Sequence, residues 1–307
     1  MKENIEYYYN IDIYDLEEKE GRYHFKNDNY DFFFVFFNKS YEELLDIIKC
    51  VNKMNAINFK PHDIIKNINN SYITSISGKN FVLLKASNMF YKYDILDIDE
   101  FNKKLIVNNY NGPLYRNNWA ELWMKKNDYF EYQISELGLN KEIVKSSFSY
   151  YLGLSENAIS IVNVVNKKYN HDYVNFTISH RRIYYPNIKL NFLNPLSFIV
   201  DLRVRDVSEY IKAIFFSNDF IDDAFIELSS YLKISYLCPY ECNMLWARLL
   251  YPTYYFDIYE DIMNKDSDEE RLIKIIDKLD TYEKFLKKAY AELSKYATIE
   301  KVSWLIN

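Results

Sequence analysis

The hydropathy pattern changes character about a third of the way along the chain. Near the N-terminus, residues 23–25 and 31–37 read as two strands, separated by the turn chemistry of Lys26-Asn27-Asp28-Asn29. The second run, Phe32-Phe33-Phe34-Val35-Phe36-Phe37, is apolar on both sides, which predicts a place in the middle of a sheet. Ser40-x-x-Glu43 then forms a capping box, and Leu44, Ile47, Ile48, Val51 and Met54 follow at helical spacing. Two more strands are predicted over 72–76 and 81–84, with Gly78 and Asn80 supplying the positive backbone angles of a tight hairpin. Strand, strand, helix, strand, strand makes a small antiparallel sheet with one covering helix. Residues 1–22 are polar and suggest no element.

After a connector at 86–93 the period becomes helical. Trp119, Leu122, Trp123 and Tyr129 mark a buried stripe on a helix from 118, with Gly138 placed to stop it. A second helix spans 148–165. Residues 175–183 and 189–200 read as short strands around a loop containing Pro186. Asp206 reads as the cap of a helix carrying Val207, Tyr210, Ile211, Ile214 and Phe215 on one face. Residues 221–236, 239–263 and 268–297 are helical in period, the last opened by a capping box at Ser267-x-x-Glu270. Trp246, Leu249, Leu250 and Tyr254 read as core. The class is α+β: an antiparallel β lobe over 1–86 and a mainly helical lobe over 87–307 with a small β insert.

Composition narrows the partners. Aromatic content is 18 %, with 31 Tyr and 21 Phe, which codon bias in an A/T-rich genome explains without function. The formal net charge of −6 leaves no basic stripe to neutralise phosphates, so nucleic acid is not an expected partner. Three cysteines make no disulfide framework, and the C-x3-C pair Cys238 and Cys242 has no His or second pair to complete a zinc site. The polar start Met-Lys-Glu-Asn-Ile-Glu is no signal peptide, and no apolar run approaches the roughly 18–20 residues of a membrane span. These features predict a reducing, cytoplasmic setting without membrane insertion.

Several motifs carry a family resemblance. Tyr150-Tyr151-Leu152-Gly153-Leu154-Ser155-Glu156-Asn157-Ala158-Ile159 resembles a signature helix, and Ile178-Ser179-His180-Arg181-Arg182 a short catalytic-loop remnant. Asp201-x-x-x-Arg205-Asp206-x-x-Glu209-Tyr210-Ile211 resembles a metal-loop region. The blocks at 245–256, 282–286 and 302–305 complete the match, which runs from about residue 72 to the end. Together they are similar to the endospore coat-associated, kinase-like proteins of Firmicutes (YutH type). That group is related to CotS coat proteins and to aminoglycoside and choline phosphotransferases. The resemblance implies a protein-kinase-like two-lobe fold, a place in or near the forespore or spore coat, and coat or morphogenetic proteins as partners.

Phosphoryl transfer rests on positioning and charge neutralisation, so its requirements can be checked one by one. A phosphate-cradling glycine loop is missing, since Gly21 is the only glycine before Gly78. The central strand carries no lysine; Lys39 lies past its end and Lys85 on another strand, while capping and solvation account for Glu42 and Glu43. The related phosphotransferases carry His-Gly-Asp with an Asn five residues after the Asp. Here His180 keeps its place and Asn187 keeps the spacing, but Arg182 occupies the aspartate position. A guanidinium, with a pKa above about 12, cannot act as a base. His180 reads most simply as a structural hydrogen-bonder to nearby backbone. Asp201 fits the metal-binding position by order, where a carboxylate can hold magnesium, and is the candidate cofactor-binding residue as well. It can equally pair with Arg181, Arg182, Arg203 or Arg205, and such an ion-pair cluster is the simpler reading. Asp206 and Glu209 read as a helix cap and a first-turn charge.

The leading expectation is therefore a kinase-fold pseudoenzyme, needing no cofactor, that acts in coat assembly or spore formation by protein–protein interaction. The alternative is an atypical Mg-ATP-dependent phosphotransferase acting on a small-molecule or protein hydroxyl through Asp201, Asn187 and His180. A third reading makes Arg181, Arg182, Arg203 and Arg205 a phosphate clamp without transfer.

Overall fold

The computed structural model describes residues 1–19, 21–86, 94–107, 109–137, 140–169, 174–183, 192–217, 221–265 and 267–306. Most of the predicted connector, Gly138, Pro186 and Asn187 lie outside these residues. The chain forms two compact units, both discontinuous in sequence. One comprises Met1–Tyr93, Asn109–Tyr115 and Asn187–Val200; the other comprises Asp94–Asn108, Arg116–Pro186 and Asp201–Asn307. The sequence suggests instead a single boundary at residue 86.

The first unit is an antiparallel sheet between two helices. Its elements are α1 (Lys2–Tyr9), β1 (Glu17–Lys19), β2 (Arg22–Asn27), β3 (Tyr30–Phe36), α2 (Tyr41–Ala56), β4 (Asp63–Ile65), β5 (Thr74–Ile76) and β6 (Lys79–Lys85). The strand order is β1-β2-β3-β6-β4, with β5 also paired to β6. Strand β3 is central, as its apolar run predicts, with Phe32 opposite Phe25 and Phe34 opposite Leu83. Its two faces serve two cores through the period-two alternation of a strand. Phe32 and Phe34 join Ile5, Tyr9 and Ile13, so α1 covers that face. Phe33 and Val35 pack with Leu44, Ile48, Val82 and Leu84, so α2 covers the other. The covering helices are thus two, because the polar-looking N-terminal segment hides Ile5 and Tyr9 on one helical face.

Helix α2 starts as its sequence predicts, with Ser40 Oγ accepting from the Glu43 amide and Glu43 capping the Ser40 amide in return. The β5–β6 hairpin turns on Ser77 (φ 49°) and Gly78 (φ 75°). Asn80 is already a strand residue, its Oδ1 accepting from Ser75 Oγ. A two-residue turn with both central angles positive matches the right-handed twist of the flanking strands.

The segment 109–115 is tied to α2 by one hydroxyl. Tyr110 Oη donates to Asp46 Oδ2 at 2.6 Å and accepts from the Leu114 amide at 3.0 Å. Gly112 lies directly against this bond; a Cβ there would overlap the Tyr110 ring and meet the Asp46 carboxylate. Gly112→Ala should therefore displace Tyr110 and cost about 1–3 kcal/mol, the range for overpacking and a lost hydrogen bond. Urea unfolding with an unchanged slope and a lower midpoint would confirm it; a midpoint equal to wild type would not.

The second unit is helical: α3 (Ile95–Lys104), α4 (Trp119–Leu137), α5 (Glu142–Lys168), α6 (Val204–Ser217), α7 (Ile221–Ser235), α8 (Pro239–Leu250), α9 (Thr253–Lys265), α10 (Ile273–Ile276) and α11 (Leu279–Leu293). It also holds β7 (Phe176–His180) and the end of β8 (Phe198–Leu202), which pair as a two-stranded ladder. The predicted strand 189–200 is shortened by the 3-10 turn Pro195–Ser197. The long helix predicted over 239–263 divides at Pro252, which has no amide to continue it. The capping box predicted at Ser267 is replaced by Asp268, whose carboxylate accepts from the Glu270 amide. On α4, Trp119 and Trp123 are buried, but Leu122 and Tyr129 are exposed, and the stripe continues through Asn127, Phe130 and Gln133.

Candidate functional site

Strand β7 ends on His180, and the chain then passes Arg181 and Arg182. Strand β8 ends on Asp201 and Leu202, and α6 begins at Val204. All of these residues belong to the second unit. Because α6 starts before Asp206, that residue is not the helix cap that the sequence suggests. It is wholly buried and turned inward. Its Oδ1 accepts from the His180 amide at 2.8 Å, and its Oδ2 lies 2.7 Å from His180 Nδ1. A carboxylate accepts, so Nδ1 carries the proton. The Nδ1 partner is thus the Asp206 carboxylate. The site keeps its histidine as a buried tie between β7 and α6.

Asp201 is equally buried, and both its oxygens are engaged. Trp119 Nε1 donates to Oδ1 and Oδ2 at 3.0 Å each, and the Leu202 amide donates to Oδ1 at 2.8 Å. Arg205 Nη1 forms a short ion pair with Oδ2. The same guanidinium donates Nε to the His180 carbonyl at 3.0 Å and Nη2 to the Arg181 carbonyl at 3.1 Å. Arg205 therefore joins Asp201 to the loop that follows β7 and sets its charge against this carboxylate.

Arg182 is held in a two-pronged fork, donating Nε and Nη2 to Asp257 on α9 at 2.6 and 2.7 Å. Beneath it lies Glu209. Sequence reading makes Glu209 a first-turn charge; it is in fact a buried hub, 3.1 Å from Lys212 Nζ and 3.0 Å from Arg248 Nη2, with Arg182 Nε at 3.8 Å. Burial alone would raise its carboxyl, but the field of Lys212, Arg248, Arg182 and Arg205 outweighs that and holds it well below the carboxylate range. Burial pushes Lys212 down to about 7; Glu209 opposes the shift, while Arg248 and Arg182 add to it. Lys212 Nζ also donates to Thr253 Oγ1 and to the Arg248 carbonyl. The Arg248 guanidinium, pushed down to about 10 chiefly by burial, lies 4.8 Å from the Trp119 ring centre. Lys212, Arg248 and Asp257 are the site residues that motif reading does not single out, and Glu209 is a motif residue whose place as a hub it does not foresee.

The four arginines considered as a phosphate clamp do not converge. Arg203 is forked onto Glu241 at 2.6 and 2.7 Å, Arg205 onto Asp201 and Arg182 onto Asp257, while Arg181 is exposed. Among the described residues, no group of three or more His, Cys, Asp or Glu is placed to hold a metal ion. In the first unit Lys39 donates to the Leu196 carbonyl at 2.7 Å, and Lys85 stands 3.6 Å over the Tyr30 ring. Asn187 lies outside the described residues.

A sequence model of the family described as "Spore coat putative kinase YutH" matches residues 2–289. The chain belongs to this family. The match extends towards the N-terminus beyond the motifs that begin near residue 72, and it stops before the block at 302–305. The endospore coat-associated protein YutH of Bacillus subtilis (strain 168) is 30 % identical over 260 residues, covering 74 % of each chain. The fold is that of the aminoglycoside phosphotransferases. An aminoglycoside phosphotransferase of Alicyclobacillus acidocaldarius superposes with TM-score 0.59 at 9 % identity, covering 94 % of this chain and 92 % of its own. The spectinomycin phosphotransferase APH(9)-Ia, solved with ADP and spectinomycin, gives 0.58 at 12 % identity over 95 % and 97 %. The amicoumacin kinase hAmiN, solved with AMP-PNP, gives 0.60 at 9 % identity over 97 % and 94 %. No helix among the described residues is long and apolar enough to cross a membrane.

Proposed function

We propose that this chain is a kinase-fold pseudoenzyme that serves in spore coat assembly by binding other proteins. The observation that carries this reading is the state of Asp201. A magnesium ligand needs free oxygen lone pairs facing solvent and phosphate. Here the carboxylate is buried, accepts from Trp119, Leu202 and Arg205, and is charge-balanced by Arg205. The second support is Arg182, which stands at the base position and is itself neutralised by Asp257. A base, a metal ligand and a phosphate loop together contribute many orders of magnitude to phosphoryl transfer, and little turnover is expected without them.

The test is a thermal shift with ATP, with and without magnesium, followed by transfer of labelled γ-phosphate to coat proteins. A ligand at about 100 times its Kd stabilises by roughly 2.7 kcal/mol, or about 4 °C for a protein of this size. The expected result is no magnesium-dependent shift at millimolar ATP and no labelled product. Transfer abolished by Asp201→Asn would overturn the proposal and establish an active, atypical phosphotransferase.

A further inference from the structure

The second unit carries an open groove of about 500 Å³ between α4 and α5, on residues that the site described above does not use. Met124, Asn127, Asp128 and Glu131 recur at helical spacing along one face of α4. Glu156, Ile159, Val164 and Lys167 do the same along α5. The two faces meet where Ser155 Oγ donates to Asn127 Oδ1 at 2.9 Å, leaving a valley above the bond.

Three features distinguish this valley from ordinary solvated helix surface. First, its charges are unbalanced, with Asp128, Glu131 and Glu156 set against Lys167 alone. Elsewhere on these helices Glu121 pairs with Lys125, Lys126 with Glu260 and Lys168 with Glu300. Second, Met124 is 43 % and Val164 42 % exposed beside these carboxylates, over a floor formed by buried Ile159. Third, Asn127 is 95 % buried yet lines the groove, with only one end of its amide engaged, by Ser155.

We infer that this groove docks a basic, amphipathic segment of a protein partner, its apolar residues on Met124 and Val164 and its lysines or arginines on Asp128, Glu131 and Glu156. Charge complementarity selects the occupant. Three carboxylates set against one lysine favour a cationic segment and disfavour an acidic one. The apolar pair offers a seat for the apolar residues of such a segment. This inference gives the binding role proposed above a surface and rests on that reading for its biological sense.

The chain contains six methionines, and Met124 is the one that lines the groove. Methyl-labelled protein titrated with a synthetic Leu/Lys amphipathic peptide should move the Met124 signal and leave buried Met54 and Met244 in place. A Leu/Glu peptide should move none. Asp128→Lys/Glu131→Lys/Glu156→Lys should weaken binding of the Leu/Lys peptide at least tenfold. Val164→Asn, a single exposed and uncharged change, should weaken binding severalfold by removing the apolar contact without threatening the fold. Equal binding by wild type and both variants would overturn the inference, as would a Met124 shift that spermidine alone reproduces. Phosphoryl transfer by a protein whose groove binds the peptide would remove the pseudoenzyme reading and leave the groove standing. An inert protein whose groove ignores the peptide would do the reverse.

Discussion

Asp201→Ala should destabilise the second unit by about 3–5 kcal/mol, the range for removing one partner of a buried ion pair. The carboxylate is wholly buried and answers donors from three residues: the Trp119 indole, the Leu202 amide and the Arg205 guanidinium. Alanine would leave Arg205 charged and almost completely enclosed, with nothing to balance it. The Trp119 Nε1–H would lose its acceptor in the core. Arg205 also fastens the His180 and Arg181 carbonyls, so the loop after β7 should loosen with it. The measurement is a thermal melt, with a fall on the order of 10 °C. Asp201→Asn should fall between, because an amide oxygen can still accept from Trp119 and Leu202 but cannot neutralise Arg205. A metal-binding aspartate behaves in the opposite way: it is held among like charges or open to water, and its removal leaves stability unchanged or improved. A variant as stable as wild type would therefore return Asp201 to the role of metal ligand.

Much of this architecture is legible in the chain, and the parts that are not share physical causes. The alternation of Phe32 to Val35 announces a central strand because its two faces are both apolar, and the Ser40–Glu43 box marks a helix start because each side chain satisfies the other's amide. Strands β1 and β4 escape notice since three residues are too few to show a period. Asp206 resembles a cap because an acidic residue before an apolar run has that appearance. Its burial becomes visible only once His180, 26 positions earlier, is seen to need an acceptor. Leu122 and Tyr129 attract an apolar reading of α4, yet the buried face takes Asn127 and Gln133 instead, each with a hydrogen-bonding partner on another helix. The hub at Glu209 is the least legible. Lys212 stands three residues further along α6, but Arg248 and Arg182 come from α8 and the loop after β7, and no sequence spacing brings those two to Glu209. The sequence motifs name candidate positions. What has become of each position depends on long-range partners.

Raising the pH should unfold the second unit cooperatively above about 10, through its buried phenols. Burial raises Tyr254 and Tyr282 well above the ordinary tyrosine value, and raises Tyr151, Tyr251 and Tyr259 as well. Tyr255 is pushed to about 12, mainly by burial. In the unfolded chain each phenol ionises near 10. Their stabilising contribution is thus intact below about 10 and is lost as pH climbs from there towards the folded values, since only the unfolded state releases the proton. Each such phenol costs roughly 1.4 kcal/mol per pH unit. Four or five of them, two units above 10, approach or exceed the roughly 5–15 kcal/mol that holds a typical domain folded. Cys242, pushed to about 12 by burial, adds to the fall. Lys212 acts in the opposite sense: it lies at about 7 in the fold against 10.5 unfolded, so stability gains from it between those values and gains nothing beyond. Circular dichroism and phenolate absorbance should therefore change together in one steep transition. Tyr151 and Tyr254 have buried hydroxyls without a hydrogen-bond partner, so Tyr151→Phe and Tyr254→Phe remove the titrating group and break no bond. Both variants should hold or gain stability at neutral pH and shift the alkaline midpoint upward. A gradual phenolate titration centred near 10, with the helical signal unchanged, would show that these rings are open to water and would overturn the prediction.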